Sequence, residues 1–255
     1  MNAVADTLVM ARRNLLRIPR APDLLIGYTV QPVMFVLLFV YVFGGAIQVP
    51  PEYDGYADFL MPGIIVQTMS FGGFVTAIGL AEDLKKGLID RFRSLPMARS
   101  AVLAGRTTSD IVLNLLSIVI MVAVGLIVGF SFDANVIEIL AGVGLLLLFG
   151  YAWSWFFALA GLSASSSESA QAVGFIVIFP LTFASSAFVP VESMPDGLRQ
   201  FAEANPFSTV TDAIRALWLD APANSDIWMS VVWSFVLIAV FAPIAVSRYR
   251  KATNR

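Results

Sequence analysis

Long apolar stretches alternate with short polar segments along the whole chain. A helix needs about 20 mostly apolar residues to cross roughly 30 Å of hydrocarbon, and six stretches have that length. They run approximately over Leu24–Ile47, Phe59–Ala81, Ile111–Ser131, Ile139–Leu162, Ala170–Val189 and Ile227–Ser247. The pattern predicts an all-α integral membrane protein with six transmembrane helices, and residues 1–255 are expected to form a single membrane domain.

The composition agrees with this pattern and excludes several chemistries. Hydrophobic residues make up 58% of the chain, charged residues 13%, and the mean hydropathy is +0.81. The absence of cysteine and histidine excludes thiolate or imidazole zinc sites and Ser-His-Asp triads. No G-x-x-x-x-G-K-[ST] sequence is present, so the chain has no P-loop for ATP. The net charge of −2 gives no reason to expect a nucleic-acid partner.

The charges are divided between the two sides of the predicted membrane domain. Fourteen of the 16 basic residues fall at the termini or between the second and third spans, and only Arg199 and Arg215 fall on the other side. Eleven of the 18 acidic residues lie on that other side. Because cytoplasmic loops near span ends retain Lys and Arg, both termini are predicted to be cytoplasmic.

The segment 1–22 before the first span is amphipathic. Its apolar residues recur at helical spacing, with basic residues on the other face, which predicts a helix in the cytoplasmic interface. The apolar positions are Val4, Leu8, Ala11, Leu15 and Ile18; the basic ones are Arg12, Arg13, Arg17 and Arg20. An alternative is that this segment serves only as an orientation signal.

A charged segment, residues 82–110, lies between the second and third spans. Leu84, Leu88, Phe92 and Leu95 share one helical face, and Pro96 ends the pattern. The segment predicts a cytosolic amphipathic helix that docks in a cleft of a soluble protein. A charged cytosolic loop without a partner fits the same pattern.

Residues 191–226, before the last span, predict two short amphipathic helices separated by Asn205-Pro206. Asp196 is the expected N-cap of the first helix, and Ser208 or Thr209 of the second. Two placements fit this external hairpin: re-entrant half-helices, or interfacial helices on the outer leaflet.

Polar and aromatic residues inside the spans are candidates for a substrate pathway, because polar groups in a membrane are costly unless they face a partner or a cavity. Packing and backbone hydrogen bonding are the alternative roles. Tyr151, Trp153 and Trp155 are expected to be interface or packing aromatics, and Gly125-x-x-x-Gly129 is a weak helix-packing signal. The pathway candidates are Gln31, Gln67, Thr68, Ser70, Phe71, Gln171, Phe175, Phe179, Thr182, Phe183, Ser185 and Ser186.

Two signatures in this order of elements carry a family resemblance. The first is the acidic-then-basic loop with Arg91-Phe-Arg-Ser-Leu-Pro96, and the second is Pro190-(x4)-Pro195-(x2)-Leu198-(x6)-Asn205-Pro206-(x8)-Arg215. Over essentially its whole length the chain resembles the ABC-2 type exporter permeases, and within them it is most similar to the daunorubicin/doxorubicin-resistance permease subunits of actinobacteria.

The resemblance implies a partner set and site residues. It implies two copies of a cytosolic ABC ATPase, which carry the ATP and magnesium, and a second permease copy in a homodimer or pseudo-dimer. The segment after the second span becomes the coupling helix, and residues 191–226 become paired half-helices on the external side. The docking residues are then Glu82, Asp83, Lys86, Arg91, Arg93 and Pro96, and the hairpin residues are Pro195, Asn205, Pro206 and Arg215.

The function expected from the resemblance is a permease that exports amphipathic drugs, antibiotics or lipid-like metabolites across the plasma membrane of a Gram-positive or actinobacterial cell. Export of lipids, glycolipids or polysaccharides and a non-transporting assembly role are the alternatives. An intramembrane enzyme is disfavoured because no carboxylate pair or activated nucleophile lies in the middle of a span.

Overall fold

Every regular element in the described part of the chain is helical. The computed structural model describes residues 22–85, 99–222 and 226–252, together with residues 7, 9–12 and 14. The helices are α1 (Pro22–Leu37), continued by a π-helical segment (Leu38–Phe43), α2 (Tyr56–Phe71), α3 (Phe74–Lys85), α4 (Arg99–Val128), α5 (Val136–Ser163), α6 (Ser167–Phe183), a 3-10 turn (Val191–Ser193), α7 (Asp196–Ala204), α8 (Pro206–Leu219) and α9 (Asp226–Ala252). The predicted all-α class is confirmed.

Most of the predicted spans correspond to helices of sufficient length. Among the described residues, four helices are long and apolar enough to cross a membrane: Tyr56–Lys85, which joins α2 and α3, Leu103–Val128, Val136–Ser163 and Asp226–Lys251. The first and fifth predicted spans correspond to shorter apolar helices, Val30–Phe43 and Ser167–Phe183. The chain is therefore a multi-span membrane protein.

The helix bundle has two ends with different contents. We call the end that holds Lys85, Arg99 and the C-terminus of α9 the basic end. The opposite end, here the hairpin end, holds the loops 44–55 and 129–135 together with α7 and α8. The second span is not one continuous helix, because α2 and α3 are separated by a turn at Gly72–Gly73.

The described residues of the N-terminal segment are helical and pack against the basic end. Met10 and Ala11 are buried, and Met10 belongs to a small cluster with Leu80 and Leu103. Gly105 lies so close that a Cβ there would meet Met10 Cβ at 2.5 Å. Of the predicted apolar positions, Val4, Leu8, Leu15 and Ile18 lie outside the described residues.

Helix α5 occupies the centre of the bundle, in contact with α2, α3, α4, α6, α8 and α9. Its aromatic side chains form much of the core, with edge-on contacts of Phe149 and Phe156 to Trp153 at 6.1 and 5.4 Å between ring centroids. Trp153 and Trp155 are 2% and 7% exposed, so both are packing residues. Aromatic burial of this kind contributes strongly to core stability.

The helix starts in the hairpin differ from the predicted ones. Asn205, rather than Ser208 or Thr209, caps α8, and its side chain accepts a hydrogen bond from the Phe207 N–H. Proline at the first helical position fits this start, because its missing N–H would have no helical partner there. Helix α7 likewise begins after Pro195, with Asp196 inside its first turn. Both predicted N-caps were therefore wrong.

The Gly125-x-x-x-Gly129 pair does not act as one packing motif. Gly125 is buried against Met61, but Gly129 has a φ of 102° and ends α4. The Phe130 N–H donates to the Gly125 carbonyl oxygen at 2.9 Å, as expected for a helix C-terminus closed by a left-handed glycine. Gly129 is therefore a helix-ending residue.

Helices extend from both sides into residues 82–110, the predicted cytosolic segment. Helix α3 continues to Lys85, and α4 begins at Arg99. The predicted amphipathic helix with Leu88, Phe92, Leu95 and Pro96 lies outside the described residues.

Two glycines of α5 offer a matched test of how closely α3 packs against α5. A Cβ at Gly161 would lie 2.4 Å from the Ala77 backbone oxygen, whereas a Cβ at Gly144 would meet nothing within 4 Å. We expect Gly161→Ala to destabilise the protein by about 1–3 kcal/mol, because α3 must move away from α5. Gly144→Ala should be neutral or stabilising by up to about 1 kcal/mol. Thermal unfolding of the purified variants in detergent measures both, and equal midpoints would contradict this close helix contact.

Candidate functional site

Helix α8 carries the most deeply buried polar groups of the hairpin end. It contacts α2, α5 and α9, whereas most side chains of α7 are exposed. Leu198 and Phe201 of α7 are 43% and 48% exposed. The predicted pair of short amphipathic helices is thus present, with one helix inside the bundle and the other on its surface.

Arg215 connects α8 to α2 and to the turn after α6. Its side chain is 2% exposed; Nε and Nη2 donate to the Phe59 carbonyl oxygen at 3.0 and 2.6 Å, and Nη2 also donates to the Ser186 carbonyl oxygen at 2.9 Å. Nη1 forms an ion pair of 2.7 Å with Asp212. The guanidinium also lies 3.7 Å from the centre of the Phe59 ring. A planar donor fork satisfies several acceptors at once, which a lysine could not do.

Asn205 fixes the start of α8 against the end of α6. Its Nδ2 donates to the carbonyl oxygens of Leu181 and Ala184 at 2.6 and 2.8 Å, while Oδ1 caps α8. The residue is 2% exposed. Of the four predicted hairpin residues, Asn205 and Arg215 make these cross-helix bonds, and Pro195 and Pro206 stand at the starts of α7 and α8.

A cavity of about 240 Å³ opens beside Arg215 at the hairpin end. Its lining includes the aromatic rings of Tyr53 and Phe59 and the carboxylates of Glu52, Glu192, Asp212 and Asp226. Burial raises the pKa of the Tyr53 hydroxyl, and the Arg215 charge opposes this rise. The phenol therefore stays protonated at neutral pH.

At the basic end, Asp83 faces the interior of the chain. Its carboxylate forms an ion pair with Arg106 of α4 at 2.9 Å, and the two side chains are only 8% and 11% exposed. The neighbouring Glu82 is partly buried. The other predicted docking residues, Lys86, Arg91, Arg93 and Pro96, lie outside the described residues. The contact described for Asp83 thus ties α3 to α4.

Most hydroxyl groups proposed for the pathway bond to nearby backbone of their own segment. Those of Thr68, Ser70 and Thr182 donate to the carbonyl oxygen four residues earlier, at 2.7, 3.0 and 2.8 Å. Ser185 donates to the Thr182 carbonyl oxygen, and Ser186 donates to Asp212 at 2.9 Å. These bonds satisfy the hydroxyls within the bundle and indicate structural roles.

The aromatic candidates form two groups. Phe71 and Phe175 meet at 5.6 Å between ring centroids, and Phe74 lies 5.4 and 5.0 Å from them. Phe179 and Phe183 form a pair at 4.3 Å. Phe175 and Phe179 remain 44% and 49% exposed along α6.

The three glutamines among the pathway candidates do not share one environment. Gln67 is 8% exposed in α2, Gln31 is exposed on α1, and Gln171 is partly buried on α6. The predicted pathway residues are therefore split between the interior and the surface of this single chain.

Three buried polar residues were missed by the sequence reasoning. The Thr76 hydroxyl donates to Asp110 Oδ2 at 2.6 Å, and one helical turn further along α4 lies Asn114, which is 1% exposed. The Asn114 side-chain nitrogen and oxygen both lack a hydrogen-bond partner. Such an unsatisfied buried amide costs about 1–3 kcal/mol. The spacing of four between a carboxylate and an amide on an apolar helix was the available signal.

These observations define a multi-span helical membrane protein with buried polar ties between its helices and, in the sequence, no nucleotide-binding motif. The sequence model of the ABC-2 type transporter family matches residues 5–219. The chain belongs to that family: it is a membrane permease subunit, and the ATPase activity of such a transporter resides on a partner subunit.

Two relatives align with nearly the whole chain. The "Daunorubicin resistance ABC transporter permease protein DrrB1" of Streptomyces coeruleorubidus is 34% identical over 97% of this chain and 87% of its own length. The "Probable doxorubicin resistance ABC transporter permease protein DrrC" of Mycobacterium tuberculosis is 26% identical over 98% of this chain and 90% of its own length. The family resemblance stated from the sequence is confirmed.

Proposed function

We propose that this chain is the membrane half of an ATP-driven exporter of amphipathic drugs, antibiotics or lipid-like metabolites. The names of the two relatives support a drug as cargo. The observation that carries the proposal is the tie between α3 and α4 at the basic end, made by Asp83 and Arg106. This tie holds together the two helices that flank the charged segment, so a force on that segment reaches both.

The partner in this proposal is a cytosolic ABC ATPase present in two copies, which supplies the site for ATP and magnesium. Its docking surface is the segment from Glu82 to Arg99, which includes Arg91, Arg93 and Pro96. A chain without a nucleotide motif can use ATP only through the motion of such a partner. Six helices cross the plasma membrane, and both termini and this segment face the cytoplasm, in agreement with the distribution of Lys and Arg.

A second permease copy completes the pathway in this proposal. Helices α1 and α6 each leave an apolar face uncovered, with Met34 and Ile176 at 57% and 73% exposure. Gln31, Phe175 and Phe179 lie among these exposed positions, so dimerisation would bring them to the interface. Aromatic surfaces with a few polar groups suit a planar amphipathic cargo. Helix α8 would then be a re-entrant element beneath the external surface, since it is buried by protein.

Charge reversal tests the docking surface. In complexes with the ATPase subunit encoded beside this permease, Arg91→Glu with Arg93→Glu should weaken co-purification at least about tenfold, because like charges then meet at the interface. Stimulation of ATP hydrolysis by the permease should fall with it. Arg199→Glu, an exposed arginine of α7 at the opposite end, is the matched control and should leave both unchanged. An intact complex with full ATPase stimulation in the double variant would reject this docking surface.

A further inference from the structure

Three chain segments meet in two polar layers, one helical turn apart, near the middle of the bundle. In the first layer, Asp110 accepts a hydrogen bond from the Thr76 hydroxyl, and Ser154, whose hydroxyl donates to the Gly150 carbonyl oxygen, is the third member. In the second layer, Asn114 lies between Gly72 and Gly150. In each of the three chain segments, the residue of one layer is four positions from the residue of the other, which is about one helical turn.

The two layers differ in how well their polar groups are satisfied. The carboxylate of Asp110 accepts a hydrogen bond from Thr76 of α3, whereas neither polar atom of the Asn114 amide has a partner. A Cβ added at Gly72 would lie 2.2 Å from Asn114 Oδ1, and one at Gly150 would lie 2.5 Å from Nδ2. Two glycines thus make room for a side chain that gains no hydrogen bond in this conformation. An apolar side chain would avoid that cost.

Asn114 faces the one place where the second span is interrupted. Helix α2 ends at Phe71 and α3 begins at Phe74, with Gly72–Gly73 between them. Both halves pack against α5, but each has its own polar contact. Arg215 holds α2 at the hairpin end through the Phe59 carbonyl oxygen, and Asp83 holds α3 to α4 at the basic end.

We propose that Gly72–Gly73 is the joint at which α3 bends relative to α2, and that Asn114 is a positioning residue that bonds to the backbone of this joint in a second conformation. The proposal rests on the proposed function, because the ATPase would drive the bend through the segment after α3. Bending a helix breaks backbone hydrogen bonds and frees N–H and C=O groups. The carboxamide carries both a donor and an acceptor to receive them. Its unsatisfied amide raises the free energy of the conformation seen here and so favours exchange with the second conformation.

Distance measurements between the ends of the second span test this joint. The chain has no cysteine, so Asp54→Cys and Lys85→Cys place two spin labels directly, about 45 Å apart along the helices. In proteoliposomes containing the permease and its ATPase, we expect the distance to shift by several ångströms between the ATP-bound and nucleotide-free states. Asn114→Ala should reduce that shift at least threefold and should lower transport per ATP hydrolysed at least threefold, with wild-type assembly of the complex.

The matched control is Thr211→Val on α8, which removes a buried hydroxyl that, like the Asn114 amide, has no hydrogen-bond partner. It should leave the distance shift and the transport ratio unchanged, whereas a general effect of deleting orphaned polar atoms would alter both variants alike. Asn114→Leu is the second variant, used if the alanine variant does not fold.

The outcomes distinguish a failure of the proposed joint from a failure of the proposed exporter function. A wild-type complex that transports, with Asn114 variants that show the same distance shift and the same transport ratio, would overturn the joint and leave the exporter intact. A wild-type permease that binds no ATPase would reject the proposed function. The permease alone still tests the joint in that case: two distance populations reduced to one by Asn114→Ala support it, and one narrow population in the wild type contradicts it.

Discussion

Replacing Arg215 by leucine is expected to destabilise the permease by roughly 3–5 kcal/mol, the largest effect of any substitution considered. The guanidinium is the buried donor for the carbonyl oxygens of Phe59 and Ser186, and leucine leaves both acceptors without it. Asp212 also loses its ion pair, although its side chain is 38% exposed and can be hydrated. Thermal unfolding of the permease purified in detergent measures the loss.

Two further substitutions separate the charge of Arg215 from its geometry. Arg215→Lys keeps the charge but cannot reach Phe59, Ser186 and Asp212 together, so an intermediate loss is expected. Asp212→Asn should cost about 1–3 kcal/mol and less than Arg215→Leu, because the amide oxygen still accepts a hydrogen bond but the buried guanidinium loses the carboxylate charge beside it. A leucine variant that unfolds at the wild-type temperature would show that this network does not hold α8 in place.

Removing the carboxylate of Asp83 is expected to cost roughly 3 kcal/mol even when no ATPase is present. Asp83→Ala removes the carboxylate that pairs with Arg106 at 2.9 Å, in a site where the arginine side chain is only 11% exposed. A role confined to docking predicts the opposite result, namely normal stability of the isolated permease and a loss only in complex formation. Unfolding of the isolated variant therefore distinguishes the internal tie from a docking contact.

The double variant Asp83→Leu with Arg106→Leu is the control for this pair. Replacing both charges by apolar side chains removes the two buried charges together, so the double variant should lose less stability than Asp83→Ala. A double variant as unstable as the sum of its two single variants would mean that the two side chains act independently.

Hydrophobic periodicity was sufficient to predict the helical class, the approximate spans and the pair of short helices before the last span. It located them because long apolar runs and the Asn205-Pro206 break are local features of the sequence. The same reasoning misplaced the cap of α8 by three or four residues, since serine and threonine are also common caps and only the structure shows Asn205 in that role.

The buried polar ties were harder to predict, because each of them joins residues far apart in the sequence. Arg215 and Phe59 are separated by 156 residues, and Thr76 and Asp110 by 34. A sequence pattern shows that Asp83 and Arg106 are charged and near span ends, but it does not show that they face each other. The pattern likewise does not reveal that the hydroxyl of Thr68, a pathway candidate, donates to the backbone of its own helix.

Transport by the reconstituted complex tests the central claim most directly. Proteoliposomes that hold the permease and its ATPase, with the ATPase facing outward, receive doxorubicin and ATP-Mg outside. Export from the cytosolic side then corresponds to accumulation of the drug in the lumen. We predict accumulation that requires ATP, stops with a hydrolysis-deficient ATPase and falls with Arg91→Glu plus Arg93→Glu. An assembled complex that hydrolyses ATP but moves neither doxorubicin nor any member of a panel of amphipathic drugs and lipids would contradict the account.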